Sequence, residues 1–199
     1  MVIEKKTFAI QADAWSDSQV ASKLWLCQHL ELLCEGREYT RHDHRIAVYA
    51  GWYGILPFML LTRDNIGYVE WIRSIDIDPV CESIADEINC HWVMEDWKFK
   101  AVTKDVNEQK WTMPYNDPTI VVNTSTEHFD KQDWFFKIPE GVVVALQSTD
   151  MEHEEHVNTV DSIQEFKNRY PLSKVEYWGE KKFSYPDREF RRFMVIGRK

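Results

Sequence analysis

The 199-residue chain is 44% hydrophobic and 14% aromatic, which fits one domain with a substantial core and argues against a disordered chain. Its formal net charge of -9 disfavours sequence-independent adhesion to DNA, RNA or anionic lipid, since such binding needs clustered cations. A small-molecule or peptide partner fits better, although residues 174–199 hold eight Lys or Arg against four Asp or Glu and form a basic edge.

Ser16-Asp17-Ser18-Gln19 has the spacing of a capping box, and Val20, Leu24, Cys27, Leu30 and Leu33 or Cys34 recur at helical intervals. The pattern predicts an amphipathic helix over 16–35 that Gly36 ends, with the charged stretch Arg37 to Arg45 as a loop. Ile46-Ala47-Val48-Tyr49 reads as a short buried parallel strand, followed by a turn through Gly51 and Gly54 and a helix over Ile55 to Leu61. Strands are expected at 69–76, 97–103, 119–123 and 141–147, and helices from Pro79 to about Asn89, around 130–137 and at 160–169. Only a loop, 179–189, separates the last two strand-like runs, Lys174 to Trp178 and Phe190 to Ile196, so they should pair as an antiparallel hairpin. The expected architecture is a single α/β domain with a doubly wound, mostly parallel seven-stranded sheet, that hairpin at its C-terminal end, and helices on both faces.

The four cysteines, Cys27, Cys34, Cys81 and Cys90, show no C-x-x-C spacing, and Met1 to Lys6 lack an apolar leader; both point to reduced thiols in the cytoplasm. The uncharged run Ile46 to Leu61 is too short to span a bilayer and is broken by Gly51, Gly54 and Pro57.

The most informative segment is Val69 to Pro79. A strand ending in Asp76 runs straight into a helix with Asp78 at its cap and Pro79 at its first position. Because Asp78 already fills the capping role, Asp76 is free for another one. About twenty residues after a glycine turn, a carboxylate at a strand's C-terminal end can reach both hydroxyls of a nucleotide ribose. Gly51 and Gly54 would let the turn approach a ligand closely, or would serve an ordinary strand-to-helix turn. Trp52 and Tyr53 are unusual inside such a turn; they suit either a ligand cation or the core.

A mostly parallel sheet closed by an antiparallel hairpin, with an acid after the second strand, resembles the class I S-adenosylmethionine-dependent methyltransferases over roughly residues 16–199. The resemblance implies a cofactor-binding half over about 46–110 and an acceptor-side half over about 117–199. It implies that Tyr49, Ala50, Gly51, Trp52, Tyr53 and Gly54 pass under the methionine part of S-adenosylmethionine, and that Asp76, next to Ile77, holds the ribose. Asp105, followed by Val106, would then meet the adenine amino group. The loop Asn123-Thr124-Ser125-Thr126-Glu127-His128 would face the methyl acceptor, with Asn123 also near the cofactor. The chain departs from the family pattern where Val48 stands in place of the usual acid and only two glycines follow. Its fourth loop also lacks the Asn-Pro-Pro-aromatic signature of the family members that methylate adenine, cytosine or glutamine amino groups, so the acceptor class does not carry over.

Methyl transfer is an in-line displacement on a carbon that the sulfonium already activates, so the protein mainly positions the acceptor and, where needed, takes its proton. Asn123, Glu127 and His128 are the candidate residues for this, His128 as base and Glu127 to orient it or act itself; a solvated loop that begins a helix is the plain alternative. Gln147 to His156 holds two histidines and four acids. His153 and His156, sharing a helix face with Asp150, are a possible divalent-metal site, and Gln147 or His153 a possible acceptor contact, against an ordinary polar loop. No metal is assigned.

Three competing readings remain. Aminopropyl transfer on the same fold usually brings an acid-rich fourth loop, whereas Asn123 to Thr126 is neutral. A cofactor-binding or scaffold protein that lost activity is favoured by Val48 and the two-glycine turn. A nicotinamide dehydrogenase lacks its Gly-x-Gly-x-x-Gly fingerprint here.

Overall fold

The computed structural model describes residues 9–35, 44–63, 69–111 and 116–199. Met1 to Lys6, Gly36 and most of the charged stretch after it lie outside the described residues. Seven strands, β1 (His44–Tyr49), β2 (Val69–Asp76), β3 (Phe99–Thr103), β4 (Ile120–Asn123), β5 (Val143–Thr149), β6 (Lys174–Ser184) and β7 (Glu189–Arg198), form one sheet in the order β3-β2-β1-β4-β5-β7-β6. β1 to β5 pair in parallel; β7 runs antiparallel to both β5 and β6, so the expected C-terminal hairpin is present.

The helices α1 (Asp17–Glu35), α2 (Ile55–Leu61), α3 (Pro79–Ile88) and α4 (Cys90–Met94) cover one face, where Leu26, Leu30, Leu56, Leu60 and Ala85 pack on Ile46, Val48, Ile72 and Val122. The short α5 (Asp133–Phe136) and α6 (Ile163–Arg169) cover the other, where Trp134, Phe135, Phe166 and Tyr170 pack on Tyr49, Val121, Val144 and Val195. Each such large apolar side chain, fully buried, contributes roughly 1.5–3 kcal/mol. The near-continuous burial of β1, β4 and β5 follows from this two-sided cover.

Several boundaries differ from expectation. Asp96 and Trp97 have φ of 47° and 59°, a left-handed conformation no strand holds, so β3 starts at Phe99. Gly141 has φ of 86°, and β5 runs on instead through Gln147, Ser148 and Thr149, because β7 pairs with it as far as Thr149. The loop expected at 179–189 is mostly strand and tightens to a turn at residues 185–188, closed by Tyr185 N–H donating to Arg188 C=O at 2.8 Å. The helix expected around 130–137 is a single turn.

The helix expected at 160–169 starts at Ile163, where Ser162 accepts from Glu165 N–H at 3.2 Å. The capping box expected at Ser16 does not close. Ser16 N–H donates to Asp13 C=O, and Gln19 Oε1 takes Lys23 Nζ instead. α1 buries Ser22, Lys23, Leu26, Cys27 and Leu30, a face turned away from Val20 and Leu24, which stay half-buried.

No disulfide joins any of the four cysteines, and burial lifts the Cys27 and Cys81 thiols to about 12, which leaves them unreactive at neutral pH. No helix among the described residues is long and apolar enough to cross a membrane.

Candidate functional site

Strand order reverses between β1 and β4, and in a parallel α/β sheet the crevice outside the strand ends at that reversal receives the ligand. The C-terminal ends there carry the 50–54 turn after β1, Asp76 after β2, Asp105 after β3 and Asn123 to His128 after β4. An apolar cavity of about 570 Å³, lined by Leu33, His44, Trp111, Ile120 and Val143, opens near the opposite ends of the strands.

The turn is strained and pinned. Ala50, Trp52 and Gly54 have φ of 49°, 48° and 71°, two of them without the freedom of glycine. Gly51 N–H donates to Ile75 C=O at 3.2 Å and Trp52 N–H to Asp76 Oδ2 at 2.8 Å, so the end of β2 holds the turn in place. Asn89, fully buried, donates from Nδ2 to Gly54 C=O at 3.0 Å and ties the turn to α3.

The glycines have identifiable structural reasons. Gly51 keeps an ordinary negative backbone angle, but a Cβ there would lie 1.9 Å from Ser74 Oγ in β2. Gly54 needs its positive φ and would press a Cβ against Asn89 and Ala85. Tyr53 is buried with Ala14, Ile55, Cys81 and Ile84 and so belongs to the core. Trp52 stacks on it at 4.7 Å and stays half-exposed.

Asp76 is half-buried, and besides Trp52 N–H it accepts from Asp78 N–H through Oδ1 at 3.1 Å. Asp78 caps α3 by accepting from Val80 N–H at 2.9 Å, the division of labour read from the sequence. Ile77 beside them is 71% exposed, an apolar surface open at the crevice. Asp105 accepts from Asn107 through Oδ1 and caps a 3₁₀ turn that buries Val106.

On the acceptor side, Tyr49 is buried on Trp134 and pairs in register with Asn123. Asn123 is fully buried; its Oδ1 accepts from Ser125 N–H at 2.9 Å, and its Nδ2 has no partner among the described residues. Glu127 is also buried, and its Oε1 accepts from Arg192 Nη1 of β7 at 3.3 Å, while Oε2 is unpartnered among the described residues. Glu127 C=O accepts from Val157 and Asn158 N–H at 2.9 and 3.0 Å, which draws the loop after β5 onto the loop after β4.

His128 thereby meets His156 edge to face at 4.9 Å. His128 is exposed, and partial desolvation by the loop still lowers its pKa, with Glu127 opposing and His156 assisting. Lys23 of α1 is buried in the same region, and desolvation, then the Arg192 guanidinium, pushes it down to about 7.

Three expectations change. Residues 150–161 form no helix, so His153 and His156 share no helix face with Asp150. Asp150 is also committed to Arg191, accepting from its N–H at 2.6 Å and its Nε at 2.8 Å. Gln147 is fully buried and donates from Nε2 to Ser22 C=O at 2.9 Å, so its side chain is not open to the crevice. Lys23, Asn89 and Arg192 escaped the sequence reading, because a lone Lys, Asn or Arg gives no sign of burial by distant partners.

Solved structures decide the fold. N-methyltransferase NodS from Bradyrhizobium japonicum WM9 superposes with a TM-score of 0.64 at 8% identity, covering 94% of this chain and 99% of that one. The fold is that of the class I S-adenosylmethionine-dependent methyltransferases. The chain is similar as well to a putative RNA methyltransferase, PH1948, from Pyrococcus horikoshii, at TM-score 0.61, 14% identity and coverage of 97% and 92%. Magnesium protoporphyrin IX methyltransferase from Synechocystis PCC 6803 with bound SAM gives 0.60 at 10% identity, covering 96% and 86%. No protein-family model and no curated protein matches the sequence.

Proposed function

We propose that the protein transfers a methyl group from S-adenosylmethionine to a small-molecule or peptide acceptor. The observation that carries this reading is the half-exposed carboxylate of Asp76, held against the strained 50–54 turn at the reversal of strand order. Two carboxylate oxygens offer about four lone-pair sites, and two backbone amides use only half of them. The ribose hydroxyls take the rest. Exposed Ile77 and the Val106 side flank the adenine, and Asp105 keeps Oδ2 for its amino group. Trp52 offers a partly open aromatic face beside the sulfonium.

His128 faces the acceptor, and buried Asn123 shapes the loop that carries it through Ser125 N–H. His128, exposed on the loop and with its pKa lowered, is able to receive a proton as the acceptor attacks the methyl carbon. Glu127 serves through its pair with Arg192 and its hold on residues 157 and 158. A cofactor-binding protein without transferase activity is the second reading; it is favoured by Val48, which fills the core where relatives of this fold have an acid.

The test is a screen of metabolites and peptides by release of S-adenosylhomocysteine. Turnover that Asp76→Ala and His128→Ala each lower supports transfer, whereas cofactor binding with no turnover across the screen favours the second reading.

A further inference from the structure

We infer that Glu127, His128 and His156 form a site for a zinc-class divalent cation at the acceptor end of the crevice. One ligand atom from each lies within 4.8 Å of the others. Three ligands sharing a zinc at 2.0–2.1 Å sit roughly 3.3 Å apart, so each atom closes on the centre by about 1 Å, within reach of side-chain rotation.

The chemical state of each group is set by its other contacts. His156 Nδ1 lies 2.7 Å from Met151 C=O, and a carbonyl only accepts, so Nδ1 carries the proton and Nε2 keeps its lone pair. A backbone carbonyl on the far ring nitrogen is the usual support of a metal-bound histidine. Glu127 is 1% exposed, with Oε1 on Arg192 and Oε2 unpartnered among the described residues. A buried carboxylate oxygen without a donor is costly, and a cation satisfies it. Arg192 then supports the ligating carboxylate from behind.

Two imidazoles and one carboxylate, with the remaining positions open, suit zinc, cobalt or iron(II) rather than magnesium or calcium, which take oxygen ligands. That the open position receives an acceptor oxygen or nitrogen rests on the proposed methyl transfer; binding of the ion does not. With the ion bound, His128 is a ligand and no longer a base.

The test is titration of chelator-treated protein with cobalt(II), followed by its visible absorption, and with zinc by calorimetry. One ion per chain with a tetrahedral or five-coordinate cobalt spectrum is expected, and His128→Ala and His156→Ala, both still cooperatively folded, should each weaken zinc at least tenfold. His91→Ala, which removes an exposed His–Glu pair on α4, should leave binding unchanged. Zinc affinity that survives both site variants, or falls with His91→Ala instead, overturns the inference. Adenosyl-sulfur binding is measured separately on the same preparation, so failure of the metal site and failure of the methyltransferase reading are distinguishable.

Discussion

The amide of Trp52 donates to Oδ2 of Asp76 across 2.8 Å, so the residue assigned to the ribose also holds the turn assigned to the methionine part of the cofactor. Removing it acts on both. Asp76→Ala should weaken S-adenosylhomocysteine binding by about 1.5–3 kcal/mol and cost about 1–2 kcal/mol of stability through two orphaned amides. Asp78→Ala should cost about 1 kcal/mol of stability as a lost cap and leave affinity nearly unchanged. Calorimetry and denaturant melts on both variants check the split, and exchanged phenotypes would remove the ribose assignment.

Gly51 meets β2 rather than open space. Gly51→Ala should destabilise by about 1–3 kcal/mol, because its Cβ would lie 1.9 Å from Ser74 Oγ. Ser74 Oγ is buried and has no partner among the described residues, so Ser74→Gly loses none of their hydrogen bonds, and the double variant should recover much of the loss. Additive losses in urea melts would show that Ser74 is not what excludes a side chain at Gly51.

Lys23 makes stability depend on alkaline pH. Its folded pKa of about 7 lies below the 10.5 of a free lysine, so the unfolded chain binds more protons between those values. Stability from this group therefore rises as pH climbs from about 7 to 10.5. Lys23→Met should flatten that slope and stabilise the protein at pH 7 by about 2 kcal/mol. Thermal melts at pH 7 and pH 10 measure it; an unchanged slope in the variant would contradict the burial of a reluctant charge.

Arg192 and Glu127 are 4% and 1% exposed in their side chains, so neither charge tolerates loss of the other. Arg192→Met alone should cost about 3–5 kcal/mol, while Arg192→Met with Glu127→Leu should recover most of it. A double-mutant cycle read by denaturant melts gives the coupling, and independent losses would show that the pair is not what holds the loop after β4 against β7.

The parallel half of the fold was legible because its cues are local. Buried strands read as apolar runs, and Asp78-Pro79 announces a helix start that Val80 N–H confirms. The reach of β5 past Gln147 to Thr149 and the length of β6 were not legible, since Ser148 and Thr149 are polar and are strand only because β7 pairs with them. Ser162 with Glu165 three residues on marks the start of α6, inside the expected bounds. On the cofactor side, the order of strand ends brings the sequence candidates together. On the acceptor side it leaves Asp150 committed to Arg191 and makes the partner of Glu127 an arginine 65 residues away, a pairing no spacing rule reveals.

The central claim is that the crevice takes an adenosyl-sulfur cofactor, and it is tested most directly by calorimetric titration of the whole chain with S-adenosylhomocysteine, S-adenosylmethionine and NAD. The account predicts saturable one-to-one binding of the two adenosyl-sulfur compounds, lost or much weakened in Asp76→Ala, and none of NAD. Binding of NAD in their place, or no heat from either adenosyl-sulfur compound with folded protein, would contradict it.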